Sequence, residues 1–173
     1  MGQPSFEVLI SAEAIRKRVT ELGLQISADY GDRPVVLVGV LKGSIIFMAD
    51  LVRHLTCPVR LEFIGTKSYN GSSSSGEVQL TKDLDKPIQG EDVLLIEDIV
   101  DTGLTLNYLQ HILAQRGPLS VRTAAFLDKP SRRQIEVHAD YIGFVIEDRF
   151  VVGYGLDFDQ KYRNLGDLCV FVP

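Results

Sequence analysis

Residues 93–106 read VLLIEDIVDTGLTL, and their reading decides the fold. Val93, Leu94, Leu95 and Ile96 form an unbroken apolar run, which fits a strand buried on both faces, as in a parallel sheet. Glu97, Asp98 and Asp101 follow in quick succession. Thr102, Gly103, Leu104 and Thr105 then read as a tight turn into a helix, with Thr102 the candidate N-cap. The acids are therefore expected where a central strand ends and a helix begins, which is where open α/β sheets bind ligands.

Folding alone accounts poorly for this pattern. A helix N-terminus offers unpaired N–H groups and a positive dipole end, which suits a phosphate. Three carboxylates beside it would repel that phosphate. The conflict disappears if the carboxylates accept hydrogen bonds from sugar hydroxyls and a divalent cation neutralises the phosphates. The alternative, a solvated strand end, explains one acid far more readily than three.

Working outward, residues 35–40 (VVLVGV) form a second buried-strand run. It ends in Leu41, Lys42, Gly43 and Ser44, and Ile45, Met48, Ala49, Val52 and Leu55 then mark an amphipathic helix. Lysine, glycine and serine between strand and helix make an anion-binding arrangement. It is not a P-loop, because GxxxxGK[ST] is absent. Upstream, Ser11 can cap a helix running to about residue 27 with Ile15, Val19, Leu22 and Ile26 on one face. Arg16, Lys17 and Arg18 on that helix read as a solvated face. Residues 29–34 read as a turn.

Residues 59–64 alternate as a strand. Residues 65–76 contain three glycines and five serines, so no packed element is expected there. They read as a surface loop or hairpin tip, or functionally as a mobile lid, with residues 78–80 the returning strand. After residues 93–106, Leu106, Leu109, Ile112 and Leu113 mark a helix face, ending at a C-cap Gly117 and Pro118. Residues 121–127, 141–146 and 168–172 are strand-like, and 150–157 form an aromatic-rich strand entering a loop. The expected fold is α/β, one domain over residues 1–173, with a mostly parallel central sheet flanked by helices. A small antiparallel hood is expected from the N-terminal segment and residues after about 150. Gly153 and Gly155 do not make a dinucleotide fingerprint.

A chain of 173 residues can bury roughly 70% of its unfolded surface. Eighteen basic and 23 acidic residues give a net charge of −5, which argues against a general nucleic-acid binder. Cys57 and Cys169 lack metal spacing and fit reduced thiols, so a cytoplasmic protein is expected. No signal peptide, lipidation signal or membrane-length apolar run is read, and no membrane partner is expected. His54, His111 and His138 share no motif and receive no catalytic role.

The 93–106 motif resembles the 5-phosphoribosyl-1-pyrophosphate (PRPP) motif of the type I phosphoribosyltransferases. The segments DKPSRR (128–133) and FVVGYGLDFDQKYRNL (150–165) resemble segments of its hypoxanthine-guanine branch, in the same order. The resemblance covers nearly the whole chain from about residue 10. It implies that PRPP and a 6-oxopurine, hypoxanthine or guanine, are joined with release of pyrophosphate, with Mg²⁺ as cofactor and a homodimer or homotetramer as the assembly. Glu97 and Asp98 would take the ribose hydroxyls, and Thr102, Gly103, Leu104 and Thr105 the 5-phosphate. Where some relatives carry Lys, Leu104 leaves that phosphate to backbone and hydroxyls.

Asp101 would be the general base, and Lys42, Gly43 and Arg163 would meet pyrophosphate. Lys129 would donate to the 6-oxo group, Phe150 would stack on the ring, and Val151 and Asp157 would line its edge. Glu97, Asp98 and Asp157 would face the metal. Lys67, Ser68 and Tyr69 match the start of the family's flexible loop. Adenine should be a poor substrate, because a lysine donor would meet its amino group. A nucleotide-sensing RNA-binding regulator of the same fold is the second reading, and the net charge disfavours it.

Overall fold

A computed structural model describes residues 5–71 and 74–172. The central sheet has six strands in the order β4-β3-β2-β5-β6-β7. These are β2 (Val35–Leu41), β3 (Val59–Gly71), β4 (Ser74–Lys82), β5 (Asp92–Val100), β6 (Ser120–Asp128) and β7 (Tyr141–Val145). All neighbours pair in parallel except β3 with β4. A second, antiparallel sheet joins β1 (Ser5–Ile10), β9 (Leu168–Val172) and the short β8 (Val151–Val152). This is the α/β fold with a mostly parallel centre that the apolar runs dictate.

Alternation within those runs feeds two cores. Leu37, Leu94 and Ile96 pack against α1 (Ala12–Tyr30) and α2 (Ile45–Val52) through Ile15, Val19, Leu22, Phe47 and Leu51. Val36, Val38, Val93 and Leu95 face the other side, against Leu106, Leu109 and Leu113 of α3 (Leu104–Ala114). Full burial of both faces is what allows four consecutive apolar residues in one strand.

Register decides where the site can form. The pairing of β2 with β5 ends at Gly39 and Ile96. Beyond that point β2 stays with β3 as far as Leu41 and Gly65. β5 stays with β6 as far as Val100 and Asp128. The sheet thus opens at its centre, at the point where the chain switches direction, which is the ligand crevice of such sheets. Glu97 and Asp98 accordingly lie inside β5 rather than after a strand end, because β6 keeps supplying backbone partners.

Several local expectations are corrected. Ser11 caps α1 as read, accepting from Ala14 N at 3.2 Å, but the helix continues to Tyr30 and stops at Gly31. In α2 the buried residues are Phe47, Met48 and Leu51, while Ile45 and Ala49 are exposed, so the buried face is rotated from the one expected. The serine-rich segment is a hairpin: Gly65 to Gly71 pair antiparallel with Ser74 to Lys82. Pairing satisfies the backbone whatever the side chains, and strand preference is set more by such context than by composition. Residues 72 and 73, part of the expected lid loop, lie outside the described residues. Only Val151 and Val152 of the expected 150–157 strand are in a sheet. The last helix caps at Gln115, two residues before Gly117.

The N-cap of α3 is Gly103, not Thr102. Gly103 has φ +85°, and a Cβ there would lie 2.7 Å from Ile135 O. Left-handed backbone and a carbonyl at that distance both exclude a side chain. Gly103→Ala should cost about 1–3 kcal/mol, lowering Tm by roughly 2–4 °C per kcal/mol. Thermal melts check this, and a change under about 0.5 kcal/mol would show that the turn accommodates a Cβ.

Candidate active site

Two cavities adjoin at the carboxyl end of β5. The first, about 290 Å³, is lined by Lys42, Gly43, Glu97, Asp98, Asp101, Gly103, Thr105, Asp157 and Arg163, with Thr66 and Ile99. The second, about 410 Å³, is lined by Lys129, Phe150, Val151 and Asp157, with Arg132, Asp148 and Leu156. Asp98, Ile99, Asp101 and Asp157 border both. Residues from four separate loops therefore meet around the acidic end of β5. Thr102 and Leu104 lie in the same turn without lining either cavity. Lys67, Ser68 and Tyr69 sit in β3, with Thr66 as that strand's contribution to the wall; the side chains of Ser68 and Tyr69 lie outside the described residues.

The first cavity is narrow because glycine allows it to be. A Cβ on Gly43 would stand 1.6 Å from Asp98 Oδ2, so the loop after β2 packs its backbone directly against the carboxylate. The Leu41–Lys42 peptide is cis. Lys42 Nζ and Arg163 Nη2 both donate to Gln160 Oε1 at 3.3 Å. Arg163 also pairs with Asp157 Oδ1 at 2.8 Å and donates to Gly155 O at 2.7 Å. Two cations and four acids thus share the lining of this cavity. Gln160, which spaces the cations, was not singled out in the sequence.

Burial works against the acids. It pushes Glu97 well above the usual carboxylate range, helped by Asp98 and Asp101 and opposed by a backbone hydrogen bond. It pushes Asp98 up to about 6, against a backbone N–H from Ile99 at 2.8 Å and the charge of Arg163. Carboxylates held this way favour hydroxyl donors or a cation as neighbours. Among the described residues no three His, Cys, Asp or Glu side chains converge as a metal site. Glu97, Asp98 and Asp157 are therefore no ready-made cage, and Asp157 is already engaged by Arg163 and by Gln160 N at 2.9 Å.

The second cavity is bordered by two basic side chains, Lys129 and Arg132, and by the ring of Phe150. The Lys129 backbone N–H donates to Val100 O at 2.9 Å, which seats the residue beside β5. Its Nζ donates to Arg149 O at 2.5 Å, with Asp148 at 3.9 Å. Burial lowers the pKa of this amine, and Asp148 opposes the shift. Phe150 is 53% exposed. Phe158 and Phe171 hold it edge-on at 5.8 and 6.0 Å between centroids. Such packing fixes a ring while leaving a face free for a planar ligand. Asp101 stands between the cavities, with Oδ1 accepting from Thr102 N at 2.6 Å.

The raised acids give a signed prediction for the ligand-free protein. At Asp98 the folded state keeps a proton that the unfolded chain has lost between about pH 4 and 6. The stability that this proton contributes is present at low pH and disappears as pH rises through that window. Asp98→Asn should therefore leave Tm nearly unchanged below pH 4 and raise it at pH 7–8. Melts across that range check it, and a Tm difference independent of pH would contradict it.

Residues 8–159 match the phosphoribosyl transferase domain family. The chain is 46% identical to the hypoxanthine-guanine phosphoribosyltransferase of Bacillus subtilis, over 96% of this chain and 93% of that protein. It is 48% identical to the hypoxanthine phosphoribosyltransferase of Haemophilus influenzae, over 96% and 95%. The hypoxanthine phosphoribosyltransferase of Trypanosoma cruzi in complex with the product IMP superposes with a TM-score of 0.91 at 46% identity, covering 98% of this chain and 95% of that one. The chain belongs to the phosphoribosyltransferase family, in its hypoxanthine-guanine branch.

Proposed function

We propose that the protein transfers the 5-phosphoribosyl group of PRPP to N9 of hypoxanthine or guanine, giving IMP or GMP and pyrophosphate in purine salvage. The observation that carries this reading is the pair of adjoining cavities, one lined by Lys42, Arg163 and the first turn of α3, the other by Lys129 and Phe150, with Asp101 on their shared border.

In this reading the first turn of α3, residues 103–105, offers N–H groups and the Thr105 hydroxyl to the 5-phosphate. Glu97 and Asp98 accept from the ribose hydroxyls, which relieves the burial of their charge. The bond from C1′ to the pyrophosphate oxygen breaks as N9 attacks, with positive charge developing on the sugar. Lys42, Arg163 and the Gly43 backbone stabilise the departing pyrophosphate. Glu97, Asp98 and Asp157 would hold Mg²⁺ directly or through water, and the ion would supply further neutralising charge. Asp101 accepts the N7 proton. Lys129 donates to the 6-oxo group, Phe150 stacks on the ring, and the Val151 backbone meets its edge. The β3–β4 hairpin carrying Lys67, Ser68 and Tyr69 would fold over the site to exclude water.

A homodimer or homotetramer belongs to the same proposal. Ile45 and Ile46 of α2 and Val59 and Leu61 of β3 are exposed, which suits self-association. A cytoplasmic site of action is part of it too, given two buried, unpaired cysteines.

Steady-state kinetics of two variants test the division of labour. Asp101→Asn should lower turnover by roughly 10²–10⁴-fold; a rate near the parent's removes the general-base role. Lys129→Ala should weaken hypoxanthine use while PRPP binding persists. Collapse of PRPP binding in that variant would show that the two cavities are not divided in this way.

A further inference from the structure

The turn between β5 and α3 is held from behind by a single downstream segment. Three consecutive carbonyls, those of Val100, Asp101 and Thr102, all accept from residues 129–135. Lys129 N donates to Val100 O at 2.9 Å. Gln134 N and Ile135 N donate to Thr102 O at 2.9 and 3.2 Å. The middle carbonyl, Asp101 O, is taken by a side chain: Arg133 Nη1 at 2.8 Å. The other arm of that guanidinium pairs with Asp128, at the end of β6.

Both ends of this bridge are largely buried, with side-chain exposures of 20% for Arg133 and 12% for Asp128. A structural ion pair would need only Asp128. The second arm instead fixes the peptide that joins Asp101 to Thr102. The N–H of that same peptide donates to Asp101 Oδ1 at 2.6 Å. A continuous path therefore runs from the Asp128 carboxylate through Arg133 and one peptide plane to the Asp101 carboxylate. Asp128 immediately precedes Lys129, so the path begins at the base-binding loop.

We propose that Arg133 is a positioning residue for Asp101: it sets the Asp101–Thr102 peptide plane, which in turn aims the Asp101 carboxylate at the border of the two cavities. This rests on the reading of Asp101 as general base. The planar fork of arginine is required, because one group must reach a carboxylate and a carbonyl together; a lysine ammonium is a point donor without that geometry.

Arg133→Lys and Arg133→Met are made in the parent and in Asp101→Asn, and kcat, both KM values and Tm are measured. In the parent, Arg133→Lys should lower kcat by about 10²-fold, the usual consequence of misplacing a reacting group by around 1 Å. On Asp101→Asn the same change should cost no more than about twofold, since residues acting through one another are not additive. Equal losses on both backgrounds would overturn the proposal, as would a parent-like kcat in Arg133→Lys. Near-normal turnover by Asp101→Asn alone overturns the base assignment and the proposal with it. Impaired Asp101→Asn beside normal Arg133→Lys overturns the role of Arg133 only. Where Arg133→Met fails to fold, Asp128→Asn serves as second variant: it keeps the guanidinium and loosens it, and should show a smaller kcat loss that vanishes on Asp101→Asn.

Discussion

Everything at the candidate site depends on one event in the central sheet: β2 and β5 stop pairing after Gly39 and Ile96. Each strand then continues with its outer neighbour, β2 with β3 and β5 with β6. The outer edge of each strand stays paired across the opening, while the inner edges face the crevice. Into the opening project the loop after β2, with Lys42 and Gly43, and the acidic end of β5. Neither loop needs to be long, because both strands deliver their residues directly to the crevice. The closeness of Gly43 to Asp98 measures how tightly the two sides approach.

That arrangement is costly for the protein without ligands. Burial and mutual repulsion raise Glu97 and Asp98, while Arg163 and Lys42 are engaged by Gln160 and, for Arg163, by Asp157. Arg163 is paired with Asp157, and the buried Glu97 and Asp98 have no such salt bridge among the described residues. Functional sites are where such local rules are broken and compensated elsewhere. Here the compensation lies in two dense apolar cores on either face of the sheet and in the segment 129–135, which ties three carbonyls at the end of β5 and in the turn to α3.

Much of this was legible in the chain. Four apolar residues before Glu97 implied a doubly covered strand, and the acids with the following Thr-Gly-Leu-Thr implied a ligand site at its end. Lys42 and Gly43 were readable because lysine and glycine between strand and helix have a local chemical meaning. What failed depended on partners distant in sequence. The extent of β5 is set by β6, and the pairing of residues 65–71 by β4, so neither could be read from local composition. The α2 face was misjudged because Phe47 is drawn inward by Phe126, 5.6 Å away between centroids, far along the chain. Arg133 and Gln160 were invisible as site residues because the partners that tie them to the site, the Asp101 carbonyl and the Lys42 ammonium, are brought close only by the fold.

The most direct measurement is a steady-state comparison of hypoxanthine, guanine, xanthine and adenine, each with PRPP and Mg²⁺, following nucleotide and pyrophosphate together. Equimolar pyrophosphate and IMP or GMP from the first two bases, with adenine poor or inert, is the predicted result. Adenine used as readily as hypoxanthine, or PRPP consumed without nucleotide formed, would contradict the account.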